Sequence, residues 1–354
     1  MLNLVIIGCG AVSQELHAPA LVELEFRKKI SVIGLYDPNI DELNKLRPQF
    51  VNAVALSSLD DLSKFNVDLA LIASPPKFHA EQAIACLNAG VSVLCEKPMA
   101  TTIAEANNML AAAGSKGAGL LAVGHIRRFF PAAQFIRQCI CTKYFGALVN
   151  FTICECTKFA WPAKSPAFFQ RNSGGGVLLD MGIHTLDLLH WWLGTPESIS
   201  YQDDAMGGIE INCILRIKYR DTQGEVRLSW DYDAGFIYTF HFDQASLSWC
   251  PYHPTSIRII FANLGYEIAG EIGTSNKLII NQLPLSIVNY NQYFIEEWLN
   301  LIGAIYDRRP LVSPGSEAIA ALSTIDYCYR NRELLIAPWF STIEVETARR
   351  LSRE

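Results

Sequence analysis

A lysine at the end of an apolar strand is the first feature of the sequence that can do chemistry. The stretch VSVLCEKPMA (91–100) runs from five residues typical of a buried strand directly into Glu96, Lys97 and a proline. The residue before a proline is held extended, which restricts the main chain at the lysine. At the carboxyl edge of a parallel sheet, where ligands bind, an ammonium group can polarise a substrate oxygen or carry a proton. The alternative is a solvated lysine that ends a strand.

An aspartate and a histidine four positions apart form a second candidate. In GGGVLLDMGIHTLDLLHWWLG (174–194), a helix would place Asp180 and His184 on one face, with Cβ atoms about 5–6 Å apart. A carboxylate beside an imidazole fixes its tautomer and raises its basicity, as a general base requires. Asp187 adds a carboxylate one turn on. A helix-surface pair is the alternative, and no third ligand has the spacing of a metal site.

A glycine-rich turn predicts a phosphate-binding loop. GCGAVS (8–13) follows an apolar run and precedes a helical pattern, and its two glycines permit close approach of the main chain to a pyrophosphate. The N-terminus of the following helix attracts that anion. An ordinary strand–helix turn is the alternative. The residues assigned to cofactor binding in this loop are Gly8, Gly10, Ala11 and Val12.

An acidic residue at the end of the second apolar run points to the kind of dinucleotide. Asp37, in GLYDPN, has the position of a carboxylate that accepts hydrogen bonds from the adenosine ribose and repels a 2′-phosphate. Pro38 and Asn39 follow, and no arginine is adjacent to hold such a phosphate. The sequence therefore predicts NAD as the cofactor, with NADP disfavoured. A turn-forming aspartate before a proline is the alternative.

Two patterns of hydrophobic residues, one before and one after about residue 125, predict the strands and helices that position these groups. Up to about residue 125, short apolar runs alternate with helical patterns, which predicts parallel strands buried on both faces. Beyond it, strand-like segments with short connections predict antiparallel pairing, with one helix among them and two later ones. The expected fold is α/β: a Rossmann dinucleotide-binding domain (1–125) and an α+β domain (126–354) with a largely antiparallel, open-faced sheet.

Composition excludes several classes of partner. Half of the 354 residues are hydrophobic and 18% are charged, which indicates a packed globular protein, and the net charge of −6 argues against a nucleic-acid or anionic-membrane surface. No apolar run approaches the roughly 18 residues that span a bilayer, and the start of the chain does not resemble a signal peptide. Ten cysteines without Cys-x2-Cys spacing predict reduced thiols in a cytoplasm and no metal.

The motifs, taken together, resemble the Gfo/Idh/MocA oxidoreductase family, which includes glucose–fructose oxidoreductase and inositol dehydrogenase. The resemblance spans Leu4 to about Arg332 and implies NAD(P)-dependent hydride transfer to or from a hydroxyl or keto carbon of a sugar, cyclic polyol or related molecule. It implies a homodimer or homotetramer, formed through the second domain. The motifs that carry it are GCGAVS, the strand-end Asp37, SPPKFH (74–79), CEKPMA and GGGVLLDMGIHTLD.

The resemblance also implies roles for single residues. Lys97, Asp180 and His184 match the family's catalytic residues, and they are expected to converge in one cleft. His184 would take the hydroxyl proton, oriented by Asp180, while Lys97 stabilises the oxyanion or itself carries the proton. The remaining candidates are Ser74, Pro75, His79, Glu96 and Lys97 for the cofactor, and His125, Arg127, Arg171 and Asp187 for the substrate.

A catalytically inactive regulator that kept the fold and the cofactor is the alternative function. Fold does not determine function, so the two are separated by the site residues. Lys97 and the Asp180–His184 pair occur here in one chain, which favours an enzyme. Turnover of a panel of polyols and keto-sugars discriminates between the two hypotheses.

Overall fold

The structure is a computed structural model that covers most of the chain. Across its described ranges, none of the helices combines the length and apolar character that crossing a bilayer requires. The described residues are 1–160, 169–170, 174–262, 265–273, 278–279, 289–336 and 341–351.

The chain divides into two compact units. One unit comprises Met1–Phe129 and Asn289–Ile319, and the other comprises Phe130–Val288 and Ala320–Glu354. The functional division of the chain at residue 125 stays a prediction. Each unit is built around its own sheet, as expected for an α/β fold with two cores.

A parallel sheet forms the centre of the first unit. Its strands are β1 (Leu2–Ile7), β2 (Ile30–Tyr36), β3 (Val54–Ala55), β4 (Leu69–Ile72), β5 (Ser92–Cys95) and β6 (Leu121–Val123). The order β3-β2-β1-β4-β5-β6, with parallel pairing throughout these described strands, confirms the predicted Rossmann sheet. The strand order reverses between β1 and β4, and ligands of such sheets bind outside the carboxyl ends at this point.

The helices follow the amphipathic segments of the sequence. The sequence spacing of Thr102 and Glu105 predicts a capping box, and the structure confirms it: Thr102 Oγ1 accepts the Glu105 N–H (3.2 Å), and Glu105 Oε2 accepts the Thr102 N–H (3.0 Å). The helices are α1 (Ala18–Phe26), α2 (Ile40–Leu46), α3 (His79–Asn88), α4 (Ile103–Ala113), α5 (Pro131–Thr142), α6 (Ile183–Leu193), α7 (Asn291–Asp307), α8 (Gly315–Arg330) and α9 (Thr342–Leu351).

Helix α7 belongs to the core of the first unit although it lies late in the chain. Its buried residues Phe294, Trp298 and Leu301 share a hydrophobic cluster with Leu21 of α1 and Leu4 of β1. A long helix of apolar and polar residues is stable only when its apolar face is covered, and here α1 and the sheet cover it. The packing of α7 also places a carboxyl group in this core, because Glu297, next to Trp298, is buried.

A mixed sheet forms the second unit. In the described residues its order is β15-β14-β13-β12-β11-β7-β10-β9-β8-β16, and only β7/β10 and β8/β16 are parallel pairs, which confirms the largely antiparallel sheet. The strands are β7 (Leu148–Cys156), β8 (Ser198–Asp203), β9 (Asn212–Lys218), β10 (Gln223–Ser229), β11 (Gly235–Phe242), β12 (Ala245–Trp249), β13 (Ser256–Phe261), β14 (Glu267–Ile272), β15 (Leu278–Ile279) and β16 (Glu333–Leu334).

Aromatic residues join α6 to one face of the mixed sheet. The ring of Trp192, on α6, meets Tyr238 and Phe240 of β11 and Trp249 of β12 with centroids 5.4–6.3 Å apart and nearly perpendicular planes. Edge-to-face pairs of this kind add to the stability that burial alone gives. The helix that carries His184 therefore rests on a rigid aromatic layer.

Candidate active site

The glycine loop lies at the carboxyl end of β1, close to the segment that follows β4. Gly8 has φ +93°, and a Cβ atom there would lie 2.4 Å from the main-chain nitrogen of Ser74, so only glycine fits. At Gly10, by contrast, an added Cβ would meet no described heavy atom within 4 Å. The main chain at Gly10 is thus open to a ligand, and the loop fits the pyrophosphate of a dinucleotide.

Ser13 replaces the third glycine of the usual dinucleotide fingerprint. Its side chain is fully buried, and its hydroxyl donates to the Gly8 carbonyl oxygen over 2.5 Å. The segment Val12–His17 begins the helical region with wide π-helical turns, which continue into α1. Serine is therefore accommodated in place of the third glycine, and its hydrogen bond to Gly8 links the two ends of the loop.

Asp37 is tied to the glycine loop by its carboxylate. One oxygen accepts the main-chain N–H of Cys9 (2.7 Å) and the other accepts that of Asn39 (2.8 Å). A carboxylate has about four lone-pair sites, so further acceptor capacity remains for ribose hydroxyls. Burial, with the charges of Asp37 and Glu42, raises the pKa of the Cys9 thiol to about 12, so the thiol stays protonated beside the loop.

His79 fastens two of the predicted cofactor segments together. The buried ring places Nε2 2.7 Å from the Ser74 carbonyl oxygen and Nδ1 2.9 Å from that of Pro98. Burial lowers the pKa of His79, although the hydrogen bonds to the two carbonyl groups act to raise it. The ring is therefore neutral and has one N–H, which it can donate to only one of the two carbonyl groups at a time. The hydroxyl of Ser74 donates to Gln82 (2.6 Å). The role of His79 toward a cofactor stays a prediction.

Glu96 and Lys97 follow β5 at the same edge of the sheet, and both are half-buried. Glu96 Oε1 lies 2.8 Å from Nε2 of the buried His17, and its Oε2 accepts the main-chain N–H of Lys97 (3.1 Å). Burial by itself raises the pKa of Glu96, but the hydrogen bond from His17 and the charge of Lys97 bring it below its usual value. Glu96 is therefore ionised. The peptide bond between Lys97 and Pro98 is cis.

In the second unit, the three glycines before α6 admit a buried carboxylate. Gly176 has φ +117°, and a Cβ atom there would lie 2.4 Å from Oε1 of Glu210. That oxygen accepts the N–H of Leu178 (3.0 Å) and the hydroxyl of Tyr329 (2.9 Å), while the Glu210 carbonyl accepts the N–H of Val177 (3.1 Å). Glu210 thus satisfies main-chain donors where the helical segment begins, as an N-cap does.

The helical segment held in this way carries the predicted acid–base pair. Asp180 lies in wide π-helical turns (Leu178–Gly182) and His184 in the first turn of α6, and both are half-buried. Thr185 is fully buried and donates to Glu155 of β7, and Asp187 is also buried. The exposed edge of this helix therefore presents Asp180 and His184, while Asp187, a predicted substrate residue, lies inside.

Glu210 gives a pH-dependent stability that can be measured. Burial raises its pKa from 4.5 to about 7, so the folded state binds this proton more tightly than the unfolded state. The stabilisation of the folded state by protonated Glu210 is fully present below pH 4.5 and is lost as pH rises through about 7. Wild-type protein should lose roughly 2–3 kcal/mol of unfolding free energy over this window relative to Glu210→Gln, which keeps the acceptor and cannot ionise.

Urea denaturation at pH 5 and pH 8 measures this difference. Glu197→Gln, at an exposed position of the same unit, is the control and should follow the wild-type pH profile. Parallel profiles for wild type and Glu210→Gln would show that Glu210 does not hold the proton.

The remaining candidates are placed as follows. His125 is buried, Arg127 is half-buried, and Arg171 lies outside the described residues. Within the described ranges, no three His, Cys, Asp or Glu side chains are grouped closely enough to hold a metal ion. Sequence reasoning missed His17 and Glu210. The three glycines were the available signal for Glu210, because glycine marks close approach, whereas nothing in the spacing distinguished His17.

Two family models match most of the chain. Residues 2–125 match a model described as an oxidoreductase family with an NAD-binding Rossmann fold, and residues 133–274 match the GFO/IDH/MocA C-terminal domain. These matches cover the parallel sheet and, in the mixed sheet, the strands β7 to β14. They agree with the glycine loop at β1 and with the mixed sheet of the second unit.

Curated relatives match over shorter stretches. D-glucoside 3-dehydrogenase of Escherichia coli is 30% identical over 199 residues, 55% of this chain and 55% of its own length. Mouse trans-1,2-dihydrobenzene-1,2-diol dehydrogenase is 31% identical over 173 residues, 48% and 50% of the two chains. The chain thus spans about half the length of the curated relatives it matches.

Solved structures extend the similarity of fold over nearly the whole chain. Levoglucosan dehydrogenase, in complex with NADH and levoglucosan, has a TM-score of 0.79 at 17% identity, covering 93% of this chain and 98% of its own. The WlbA dehydrogenase of Bordetella pertussis, in complex with NADH and UDP-GlcNAcA, has a TM-score of 0.74 at 20% identity, covering 93% and 95%. With its two family models and this shared fold, the chain belongs to the Gfo/Idh/MocA oxidoreductase family.

Proposed function

We propose that the protein is an NAD-dependent dehydrogenase or reductase that acts on a CH–OH carbon of a sugar, cyclic polyol or related small molecule. The observation that carries the proposal is the carboxyl edge of the parallel sheet. There, a glycine loop anchored by Asp37 lies in the same unit as the half-buried Lys97. This edge combines a cofactor cradle with a cation suited to an oxyanion.

Residues of the first unit would hold the cofactor. The main chain at Gly10 and the start of the following helix would meet the pyrophosphate, and Asp37 the adenosine ribose. When bound, NAD supplies the hydride acceptor or donor of the reaction. Ser74, Pro75, His79 and Glu96 would complete the binding edge, since they follow β4 and β5 at the strand ends.

Proton transfer falls to the residues predicted from the sequence. His184 would take the hydroxyl proton in the oxidative direction, and the Asp180 carboxylate would orient the ring and stabilise its protonated form. Lys97 would stabilise the negative charge that develops on the substrate oxygen, or carry the proton itself. The anchoring of the helix start by Glu210 supports this assignment, because a general base must be held in position.

The relatives support a hydroxylated substrate of sugar size. The glucoside, dihydrodiol and levoglucosan dehydrogenases are named for polar molecules with adjacent hydroxyl groups or oxygen atoms. His125, Arg127 and Asp187, together with Arg171, remain the proposed substrate contacts. We place the enzyme in a cytoplasm, since its ten cysteines are thiols, and expect a homodimer or homotetramer, whose mass light scattering would measure.

A substrate panel tests the proposed activity. Purified protein is incubated with NAD and a set of glucosides, inositols, anhydrosugars and sugar acids, and with NADH and the corresponding keto-sugars, while absorbance of NADH is followed. We expect turnover with at least one member. NADH binding without turnover across the panel, with no difference between wild type and a Lys97 variant in any assay, would favour the cofactor-binding regulator instead.

The cofactor preference is a separate prediction. We expect NADH to bind more tightly than NADPH, because the carboxylate of Asp37, fixed by two main-chain donors, would face the 2′-phosphate of NADPH and repel it. Thermal-shift titrations report the difference, since a ligand that binds only the folded state raises the melting temperature. The same titration with ADP-ribose and with ADP-ribose 2′-phosphate, which lack the nicotinamide ring, tests the adenosine half of the cofactor by itself. Equal stabilisation by both members of each pair would contradict the prediction.

A further inference from the structure

His17 is fully buried and packs against α7. Its Nδ1 accepts the indole N–H of Trp298 over 3.3 Å, and its Nε2 lies 2.8 Å from Glu96 Oε1. The imidazole ring also packs edge-on against Phe294, with centroids 5.0 Å apart. Three side chains from distant parts of the sequence therefore form one hydrogen-bonded series, from Trp298 through His17 to Glu96.

The chemistry of the series sets its direction. An indole N–H can only donate, so Nδ1 of His17 must offer its lone pair to Trp298. The ring proton then sits on Nε2 and is donated to the Glu96 carboxylate, whose other oxygen accepts the Lys97 N–H (3.1 Å). The series thus ends on the main chain of the predicted catalytic lysine. Gly124 leaves room for it, because a Cβ atom there would lie only 3.1 Å from Glu96 Oε1.

The charges around Glu96 favour its ionised form. Glu297 precedes Trp298 on α7 and is buried, and within the described residues neither of its carboxyl oxygens has a hydrogen-bond partner. Burial and the charge of Glu96 raise the pKa of Glu297 well above its usual value, so Glu297 is neutral and Glu96 carries the negative charge. The titratable groups around Glu96 are His17, His79, Cys95, Lys97 and Glu297.

We infer that His17, held in one tautomer by Trp298, is a positioning residue that fixes the Glu96 carboxylate and, through it, the main chain at Lys97. The inference rests on the proposed function, because it assigns Lys97 a part in the reaction. His17 is too deeply buried to be assigned contact with the substrate, and its effect reaches the reaction only through Glu96.

Two amide substitutions separate the hydrogen bond from the bulk of the ring. The amide nitrogen of His17→Gln takes the place of Nε2 and can still donate to Glu96. The amide of His17→Asn takes the place of Nδ1, so it can accept from Trp298 but does not reach Glu96. Both variants lose the ring contact with Phe294. A purely structural role for His17 predicts similar losses in both, whereas the inference predicts a difference between them.

The first measurement needs no substrate and no cofactor. Because His17 lowers the pKa of Glu96, this pair stabilises the fold above the unfolded pKa of about 4.5, and the stability is lost as pH falls through the lower folded value. We expect His17→Gln to melt at a higher temperature than His17→Asn at pH 7, and this gap to narrow as pH falls below about 4.5. A gap of the same size at pH 7 and throughout the acid range below pH 4.5 would overturn the inference.

The second measurement is kinetic. We expect kcat of His17→Asn to fall about 10–100-fold with KM nearly unchanged, the size of effect seen when an orienting hydrogen bond is removed, and His17→Gln to recover most of it. Equal kcat values in the two variants would overturn the inference. If His17→Asn does not fold, Glu96→Gln in the wild-type background provides a second test. This variant should abolish the loss of stability at acid pH. A profile of melting temperature against pH that matches wild type would overturn the inference. Absence of turnover in wild type would instead refute the proposed function, leaving the melting comparison valid.

Discussion

Replacing Lys97 with methionine should lower turnover by about 10²–10⁴-fold while NADH binding persists. Methionine keeps much of the bulk of the lysine stem and removes the ammonium group, so the loss reports the charge. The expected range is that of a lost proton-transfer or charge-stabilising group. Single-wavelength NADH kinetics give kcat and KM, and tryptophan fluorescence quenching gives the dissociation constant of NADH.

A second lysine variant controls for the loss of a positive charge from the same unit. Lys116 is exposed, and Lys116→Met should retain wild-type turnover. The Lys97 prediction would be wrong if Lys97→Met turned over at the wild-type rate. The lysine would then be an ordinary charge at a strand end, the alternative that the sequence left open.

Replacing His184 with asparagine should produce a loss of similar size, about 10²–10⁴-fold in turnover, because the general base is removed. The half-buried position of His184 at the start of α6 makes it available to a ligand, whereas the neighbouring Thr185 is fully buried and donates to Glu155 over 2.8 Å. Since a base must be unprotonated to accept the hydroxyl proton, the acid limb of the kcat profile should also disappear in the variant.

His190 provides a matched control on the same helix. Its Nε2 lies 2.8 Å from the Thr324 hydroxyl, a contact within the second unit, so His190→Asn should lower stability and leave turnover within a few-fold of wild type. Unchanged turnover and an unchanged pH profile in His184→Asn would remove this histidine from the proposed chemistry.

The double variant of Lys97 and His184 tests whether the two residues serve one reaction. Residues that act as a unit lose less together than the product of their separate effects. We therefore expect Lys97→Met with His184→Asn to fall short of that product. A fully multiplicative loss would indicate that each residue contributes independently.

Much of the fold could be predicted because local patterns and burial agree. The continuous apolar runs of β1, β2, β4 and β5 are what a parallel sheet covered on both faces requires. The Thr102–Glu105 capping box was visible for the same reason, since an N-cap depends only on residues within one turn. The two-residue strand β3 was not anticipated, because so short a segment has no periodicity to detect.

The candidate site was predicted only in part. The glycine loop, Asp37, Lys97 and the Asp180–His184 pair are marked by residue type and position relative to an element, which one sequence can show. The prediction of one helix that carries Asp180 and His184 was incomplete. Asp180 lies in π-helical turns (Leu178–Gly182), and the N–H of Leu178 at their start donates to Glu210, far along the chain. The roles of the glycine loop, Asp37, Lys97, Asp180 and His184 stay predictions until the variants are measured.

The sequence by itself therefore determined many of the longer secondary elements, the cofactor loop and the types of group available for chemistry, because each depends on neighbours within a few residues. Only the tertiary structure decided which distant side chains support them. It placed Trp298 and Glu297 of α7 beside His17 and Glu96, and it brought Glu210 against Gly176. The physical reason is that burial and long-range hydrogen bonds set the ionisation and orientation of these groups, and neither is encoded in local spacing.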